Sequence, residues 1–458
     1  MKRFEVDLLV IGSGPAGQRA AIQGAKLGKK VLVVEDGEHI GGGALNAGTF
    51  PSKAMRHAVV TLTRWHERKF DSCWTPEASF VEIKERIGCI LDERRSVIKN
   101  QFDRNGVIFT HGVARFRDPY SIEIVRDGNV IAEVKFRFVV LATGSVPRNP
   151  MDVPFDGERL LDSTALLDIK KLPKKMIVLG AGIVGTEYAS IFNLLGVSVL
   201  LLDKRDVLLG LIDREIREVF QSELSKLGLE FLGNKSPDRI IRNVDSVSVT
   251  CTDGSSYSAE VLLYALGRVA NTKHLRLDCT GVEMNSRGFI NVNSKFQTSI
   301  PHIYAAGDVI GHPSLAATSF EQGRLAVRYI FGEETADFPE IFPVGIYTIP
   351  EISFVGESEF SLQEKDISFV VGYAHFCELA RGVIEANTCG LLKMFVCRNS
   401  RRILGVHIVG RRATDLIHIG QMAIHFSAQV DFFADRVFNY PTYSEAYIIA
   451  AINASSKL

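Results

Sequence analysis

The chain has 458 residues, 46% hydrophobic and 23% charged, which fits about three globular domains with ample core. Lys plus Arg and Asp plus Glu both number 53, so no whole-chain field draws it to nucleic acid or to an anionic membrane surface. No apolar run nears the roughly 18 residues that span a bilayer, and the seven cysteines (Cys73, Cys89, Cys251, Cys279, Cys377, Cys389, Cys397) show neither CxxC nor zinc-like spacing, so they read as reduced thiols of a soluble cytoplasmic protein without a metal site.

The first residues, MKRFEVDLLVIG, predict a strand rather than a secretory signal, because Glu5 and Asp7 interrupt the apolar run. Over residues 6–35 an apolar strand turns on GxGxxG, continues as a helix of small residues and returns as a second apolar strand. Gly12 makes the tight turn, Gly14 admits a pyrophosphate to the backbone, and Gly17 lets helix and strand approach. Glu35 ends the second strand eighteen residues after Gly17, where a carboxylate accepts the hydroxyls of an adenosine ribose. Residues 174–203 repeat the arrangement with Gly180, Gly182, Gly185 and Asp203. Two dinucleotides are therefore expected. Asp203 suits a ribose 2′-hydroxyl, whereas Lys204 and Arg205 suit a 2′-phosphate or form an ordinary solvated loop, so NADH and NADPH both stay open.

Proline and glycine punctuation near 144–154 and around Asn271 marks the second unit as an insertion, and strands and helices alternate beyond Phe342. The predicted class is α/β, with two Rossmann-like dinucleotide-binding domains and a C-terminal α+β domain. The expected boundaries are 1–152 for the first domain, 153–271 for the inserted one, 272–341 for the return segment and 342–458 for the last.

Between Gly41 and Lys53 the chain reads GGGALNAGTFPSK, and this segment resembles the active-site helix of the flavoprotein pyridine nucleotide-disulfide oxidoreductases. In that family two cysteines stand where this chain has Ala44 and Thr49, and a methyl and a hydroxyl cannot form a disulfide. The resemblance extends through VLATGSVP (140–147), GAG·VG·EYASIF (180–192), GDVIG·PSLA (307–316), GIYTIPEIS (345–353) and FNYPT··EAY (438–447). It is tightest to the soluble transhydrogenase branch, although LN at 45–46 is more like lipoamide dehydrogenase.

The resemblance implies FAD in the first unit and NAD or NADP in the second. For FAD it points to Gly12, Gly14, Gly17, Glu35, Gly42, Gly43, Thr49, Lys53, Ala114, Thr143, Gly144, Asp308 on the ribityl chain and Ala316 at a helix start aimed at the ring. For the nicotinamide nucleotide it points to Gly180, Gly182, Gly185, Asp203, Lys204, Arg205 and Gly267. It pairs Lys53 with Glu187 beneath the flavin, and a buried lysine needs such a partner. It implies a homodimer or higher homo-oligomer whose third domain forms the interface, with a cis Tyr440–Pro441 bond and with Tyr440 to Glu445 reaching the other subunit's flavin. Tyr440 stands where the family carries a histidine, and a phenol, ordinarily titrating near about 10, is a poor thiol base. His57 is open to a catalytic or a helix-packing role.

Sulfurs and base are thus absent together, and the expected reaction is a ping-pong transhydrogenation, NADPH + NAD⁺ ⇌ NADP⁺ + NADH. The alternatives are an NAD(P)H dehydrogenase serving a quinone, dye or oxygen, a lipoamide dehydrogenase-like protein without disulfide reductase activity, and a binding subunit with degenerate chemistry.

Overall fold

The computed structural model describes residues 2–67 and 76–458, so Cys73 lies outside the described residues. Its first sheet is built on Lys2–Ile11, which pairs in parallel with Val31–Glu35 on one side and with 132–141 of the strand Asn129–Leu141 on the other. Ile108–His111 extends one edge, and Ile303–Ala305 pairs with 139–141. Leu8, Leu9 and Val10 are wholly buried, as a parallel strand covered on both faces requires. On its other edge, the strand Asn129–Leu141 closes, through 129–135, an antiparallel meander with Val113–Asp118 and Ser121–Arg126.

The helix Pro15–Lys26 starts directly from the first phosphate turn. Helix Ala316–Ile330 crosses it closely enough that a Cβ at Gly323 would lie 2.0 Å from the Ala16 carbonyl oxygen. That contact locks the return segment onto the first unit.

A second parallel sheet runs in the order 230–232, 198–202, 175–179, 261–264, 160–161, with a small antiparallel sheet of Pro237–Arg242, Val247–Cys251 and Ser256–Ala259 beside it. The chain enters and leaves this region through a two-stranded ribbon, in which Ser145–Pro147 lies antiparallel to Arg268–Ala270. A third, antiparallel sheet orders 344–346, 352–356, 403–410, 390–397 and 369–375. Helix Glu445–Ser455 lies against it, where a Cβ on Gly372 would meet the Ala450 carbonyl oxygen at 2.0 Å.

The second and third sheets are tied by a buried cation. Lys393, with no exposed side-chain surface, lies 3.0 Å from Asp213, 2.5 Å from Glu215 and 2.8 Å from Glu359. Asp213 caps helix Arg214–Lys226 of the second region, while Glu359 opens helix Glu359–Glu364 of the third. Two helix starts from different regions thus converge on one ammonium, and three carboxylates satisfy it. Among the described residues no helix is long and apolar enough to cross a membrane, and no His, Cys, Asp and Glu group has the arrangement of a metal site.

Candidate active site

The two phosphate loops are built alike. Gly12 and Gly180 adopt φ of +103° and +108°, and a Cβ there would lie 2.3 Å from the Ala142 oxygen and 2.6 Å from the Ala265 oxygen. Only glycine takes that turn against a neighbouring strand without strain. Gly17 and Gly185 each leave room for a carbonyl, since a Cβ would stand 1.9 Å from the oxygen of Gly12 or Gly180. Gly14 and Gly182, the N-caps of helices Pro15–Lys26 and Ile183–Leu194, face open space and have no side-chain cap. The bare helix starts present N–H donors and a positive dipole to an anion.

The acids that follow differ. Glu35 is 4% exposed, and its Oε2 accepts from the Ser13 amide at 2.7 Å and the Ser13 hydroxyl at 2.5 Å. Its Oε1 accepts from the Gly37 amide at 3.0 Å. Burial raises its pKa, and these hydrogen bonds only partly oppose the rise. Asp203, also 4% exposed, receives the Ala181 amide at 2.7 Å and Arg205 Nη2 at 3.0 Å on Oδ2. On Oδ1 it receives the Arg205 amide at 2.9 Å and Arg205 Nε at 3.0 Å. Burial alone would raise this carboxyl, but the Arg205 bonds prevail and hold it below the ordinary carboxylate range. Lys204 is exposed beside this pair.

At the expected flavin face Lys53 Nζ and Glu187 Oε2 are 2.6 Å apart, the two side chains 25% and 5% exposed. The other Glu187 oxygen accepts the Tyr347 amide at 2.8 Å, and the Tyr347 ring lies 5.0 Å from Lys53 Nζ. Three segments distant in sequence therefore hold one ammonium. Ala44 is half-buried, Thr49 and Gly43 are exposed, and Gly42, at φ +62°, abuts Gly14. The six described cysteines are free thiols, and none of them is at position 44 or 49.

The first loop leaves a polar group unsatisfied where FAD is expected. A crevice beside the first loop is lined by Gly12, Val34, Ala114, Thr143 and His274. There the buried Thr143 Oγ1 has no hydrogen-bond partner. A buried hydroxyl without a partner is costly, and with the open face of Gly14 it fits a polar ligand lying along the turn. Gly144, at φ +70°, hands its carbonyl to Asn271, and Gly267, at φ +115°, hands its own to Arg148, so both crossovers are stitched together. Asp308 Oδ2 accepts from Ser145 Oγ at 3.0 Å. Ala316 opens its helix without a side-chain cap.

Tyr440, 73% exposed, precedes a cis peptide bond to Pro441, as the motif implies. Glu445 begins helix Glu445–Ser455, and its Oε2 is buried without a hydrogen-bond partner. Among the described residues neither is hydrogen-bonded or ion-paired to Lys53 or Glu187. His57 is exposed on helix Thr49–Glu67. Sequence reading passed over Ser13, Ser145, Arg268 and Tyr347. The last lies inside the GIYTIPEIS motif, which was its one signal; the others sit beside quoted glycines.

Comparison with known proteins identifies the family and the fold. The family model described as pyridine nucleotide-disulphide oxidoreductase covers residues 6–323, and the dimerisation domain of the same family covers 342–451. A soluble pyridine nucleotide transhydrogenase of Mycobacterium tuberculosis is 42% identical over 99% of this chain and 98% of its own length. One of Yersinia pestis is 38% identical over 100% and 99%. Among solved structures, LpdA of Mycobacterium tuberculosis superposes with a TM-score of 0.88 at 26% identity, covering 99% of both chains. The flavoprotein disulfide reductase RclA of Escherichia coli, at 24% identity, shares the fold with a TM-score of 0.88 over 97% and 99%. The chain thus belongs to the pyridine nucleotide-disulphide oxidoreductases, a family of FAD- and nicotinamide nucleotide-binding enzymes, within their soluble pyridine nucleotide transhydrogenase branch.

Proposed function

We propose that this enzyme moves a hydride between NADPH and NAD⁺ in two half-reactions at a single nicotinamide site, without a redox-active disulfide. The observation that carries the reading is the combination of Ala44 and Thr49 with an intact Lys53–Glu187 pair. The group that orients hydride chemistry is kept, while the sulfur relay is gone. Bound in the first unit, FAD supplies a ring that takes up a hydride and returns it.

In this reading Gly12, Gly14, Gly17, Gly42 and Gly43 line the FAD pyrophosphate, and Ala114, Thr143 and Gly144 border its adenosine side. Glu35, whose Oε1 has accepted one donor, retains a lone pair for a ribose hydroxyl. Asp308 takes the ribityl chain, and the uncapped helix at Ala316 places its positive end toward the ring. Lys53 sets a cation under that ring, held by Glu187 and Tyr347.

Gly180, Gly182, Gly185 and Gly267 receive the nicotinamide nucleotide. Four donors already fill the Asp203 carboxylate, and the Arg205 side chain supplies two of them. For NAD(H) the guanidinium swings away and a ribose 2′-hydroxyl takes its place; for NADP(H) Arg205, with Lys204, turns to the 2′-phosphate. One loop then serves both coenzymes. Tyr440 and Glu445 complete the site from the partner in a homodimer, consistent with the exposed Val437, Phe426 and Met422 of the third region and the unpartnered Glu445 oxygen.

The test is an oxygen-free pair of half-reactions. NADPH should bleach the flavin, and NAD⁺ or its thio analogue should restore it at a rate that accounts for turnover. If reduced enzyme is stable to NAD⁺ but reoxidised by a quinone, the acceptor assignment fails. Uptake of four electrons per subunit would instead reveal a hidden disulfide.

A further inference from the structure

The ribbon that links the two nucleotide-binding regions carries its own polar relay. Arg268, at the start of Arg268–Ala270, reaches back across to Ser145: its Nε donates to Ser145 Oγ at 2.8 Å and its Nη2 to the Ser145 carbonyl at 2.6 Å. Ser145 Oγ in turn donates to Asp308 Oδ2 at 3.0 Å. A guanidinium has donors only, so the serine oxygen must accept from it. The single hydroxyl proton is then committed to Asp308. One rotor with three possible orientations is fixed by its neighbours.

The surroundings reinforce this geometry. Arg268 keeps exposed surface, yet desolvation lowers its pKa against the opposing field of Asp308, Asp162 and Tyr188. Asp308 belongs to the first region, whereas Asp162 and Tyr188 belong to the second. The guanidinium therefore feels a carboxylate from each of the two regions that the ribbon joins. It is the natural place from which to fix how one region sits on the other.

We propose that Arg268 is a positioning residue for hydride transfer, acting through Ser145 to hold Asp308 and, by bracing the ribbon, to set the approach of the nicotinamide region to the flavin region. The inference rests on reading Asp308 as the ribityl ligand. It adds that Asp308 works only when its Oδ2 is held by this relay, leaving Oδ1 for the cofactor.

The experiment uses purified holoenzyme of the parent, Arg268→Met, Arg268→Lys, Ser145→Ala, Asp308→Asn and the Arg268→Met/Ser145→Ala double variant. FAD dissociation is followed by flavin fluorescence, the flavin midpoint potential by dye equilibration, and flavin reduction by oxygen-free rapid mixing with saturating NADH. Arg268→Met should weaken FAD retention about 10-fold and slow reduction by a similar factor, as loss of a charge-assisted contact does. Its midpoint potential should fall, because the cation held behind Asp308, on the ribityl side of the bound flavin, is lost. Ser145→Ala should reproduce the FAD effect about half as strongly on a logarithmic scale, and the double variant should be no worse than Arg268→Met, because both act on one carboxylate. Arg268→Lys keeps charge but not the two-pronged reach, so it should restore the potential and not the FAD affinity.

If Asp308→Asn binds FAD like the parent, the ribityl assignment itself falls. If Asp308→Asn releases FAD while Arg268→Met and Ser145→Ala retain it with parental potential, only the relay is refuted. Full additivity in the double variant also refutes it. Should Arg268→Met not fold, Arg268→Lys and Ser145→Ala carry the same decision.

Discussion

Set side by side, the loop closed by Gly17 and the loop closed by Gly185 share their backbone strain, their open central glycine and their uncapped helix, and then part at the acid that follows. Glu35 is held by a serine hydroxyl and two backbone amides, and among the described residues no cation bonds to it. Asp203 is covered by the two-pronged side chain of Arg205, half of which is exposed. A group that stays bound through every turnover needs a pocket with fixed partners. A substrate that must leave needs one whose cover can move aside. The shared parts recognise a pyrophosphate; the differing parts separate a resident cofactor from an exchanging one.

The most severe way to break the pairing is to fill the carbonyl notch in each loop. Gly17→Val and Gly185→Val both drive a side chain into a backbone oxygen that a bare Cβ would already approach to 1.9 Å. Overpacking of that kind costs ~3 kcal/mol or more, and backbone cannot yield as a side chain does. Gly17→Val should purify without flavin. Gly185→Val should stay yellow, yet NADH and NADPH should fail to bleach it. Flavin-to-protein ratios and oxygen-free reduction read the two outcomes, and loss of FAD in both would show that the regions fold as one unit.

A milder cut falls between the loops. Glu187 comes from the second region and Lys53 from the first, so Glu187→Gln weakens an ion pair that spans them at the site. The amide keeps a carbonyl for the Tyr347 N–H or for Lys53 but loses the charge. A charged hydrogen bond contributes about 2 kcal/mol, so flavin reduction should slow ~30-fold with FAD retained. An unchanged rate in rapid mixing would demote the pair to a structural link.

Much of this was legible from residue order alone. The two strand–turn–helix units, the acids eighteen residues past each last glycine and the Lys53–Glu187 pairing all follow local pattern or family motif. The antiparallel meander of 113–135 and the long helix Pro76–Arg104 were not anticipated, because partly exposed strands and a helix with many charged residues lack the continuous apolar runs that announce buried strands. The saturation of Asp203 was invisible too. Sequence placed Arg205 beside a phosphate or in solvent, and only the fold turned it back onto the carboxylate two residues away. Ser145 and Arg268 needed the ribbon register, Pro147 opposite Arg268, to bring them together.

The arginine offers a sharper comparison with a smaller effect. Arg205→Ala removes the phosphate partner and uncovers Asp203 at once. The KM for NADPH should rise ~10-fold, the equivalent of about 1.4 kcal/mol, while that for NADH stays level or falls because its acid is no longer blocked. The analogous Glu35→Gln in the first loop should leave both KM values unchanged and loosen FAD instead. Steady-state kinetics with both coenzymes decide; an equal rise for NADH and NADPH would mean that Arg205 serves the loop rather than the phosphate.

The faintest contrast lies in pH, and there the two acids should move in opposite directions. Glu35 has a folded pKa above its unfolded one, so the folded chain binds more protons across that window. Its contribution to stability is fullest below the unfolded pKa and declines as pH rises through the folded value. Asp203 has a folded pKa below its unfolded one, so its contribution is present above the unfolded pKa and is lost as pH falls through the folded value. Titrating apoprotein Tm from neutral pH into the acid range should therefore show Asp203→Asn losing its destabilisation as pH drops, while Glu35→Gln becomes more destabilising relative to the parent. Differences of no more than about 2 °C are expected in a chain this long. Parallel curves for the two variants would mean that Arg205 does not hold Asp203 in solution as it does in the folded loop, and the distinction between a fixed and a covered acid would lose its physical basis.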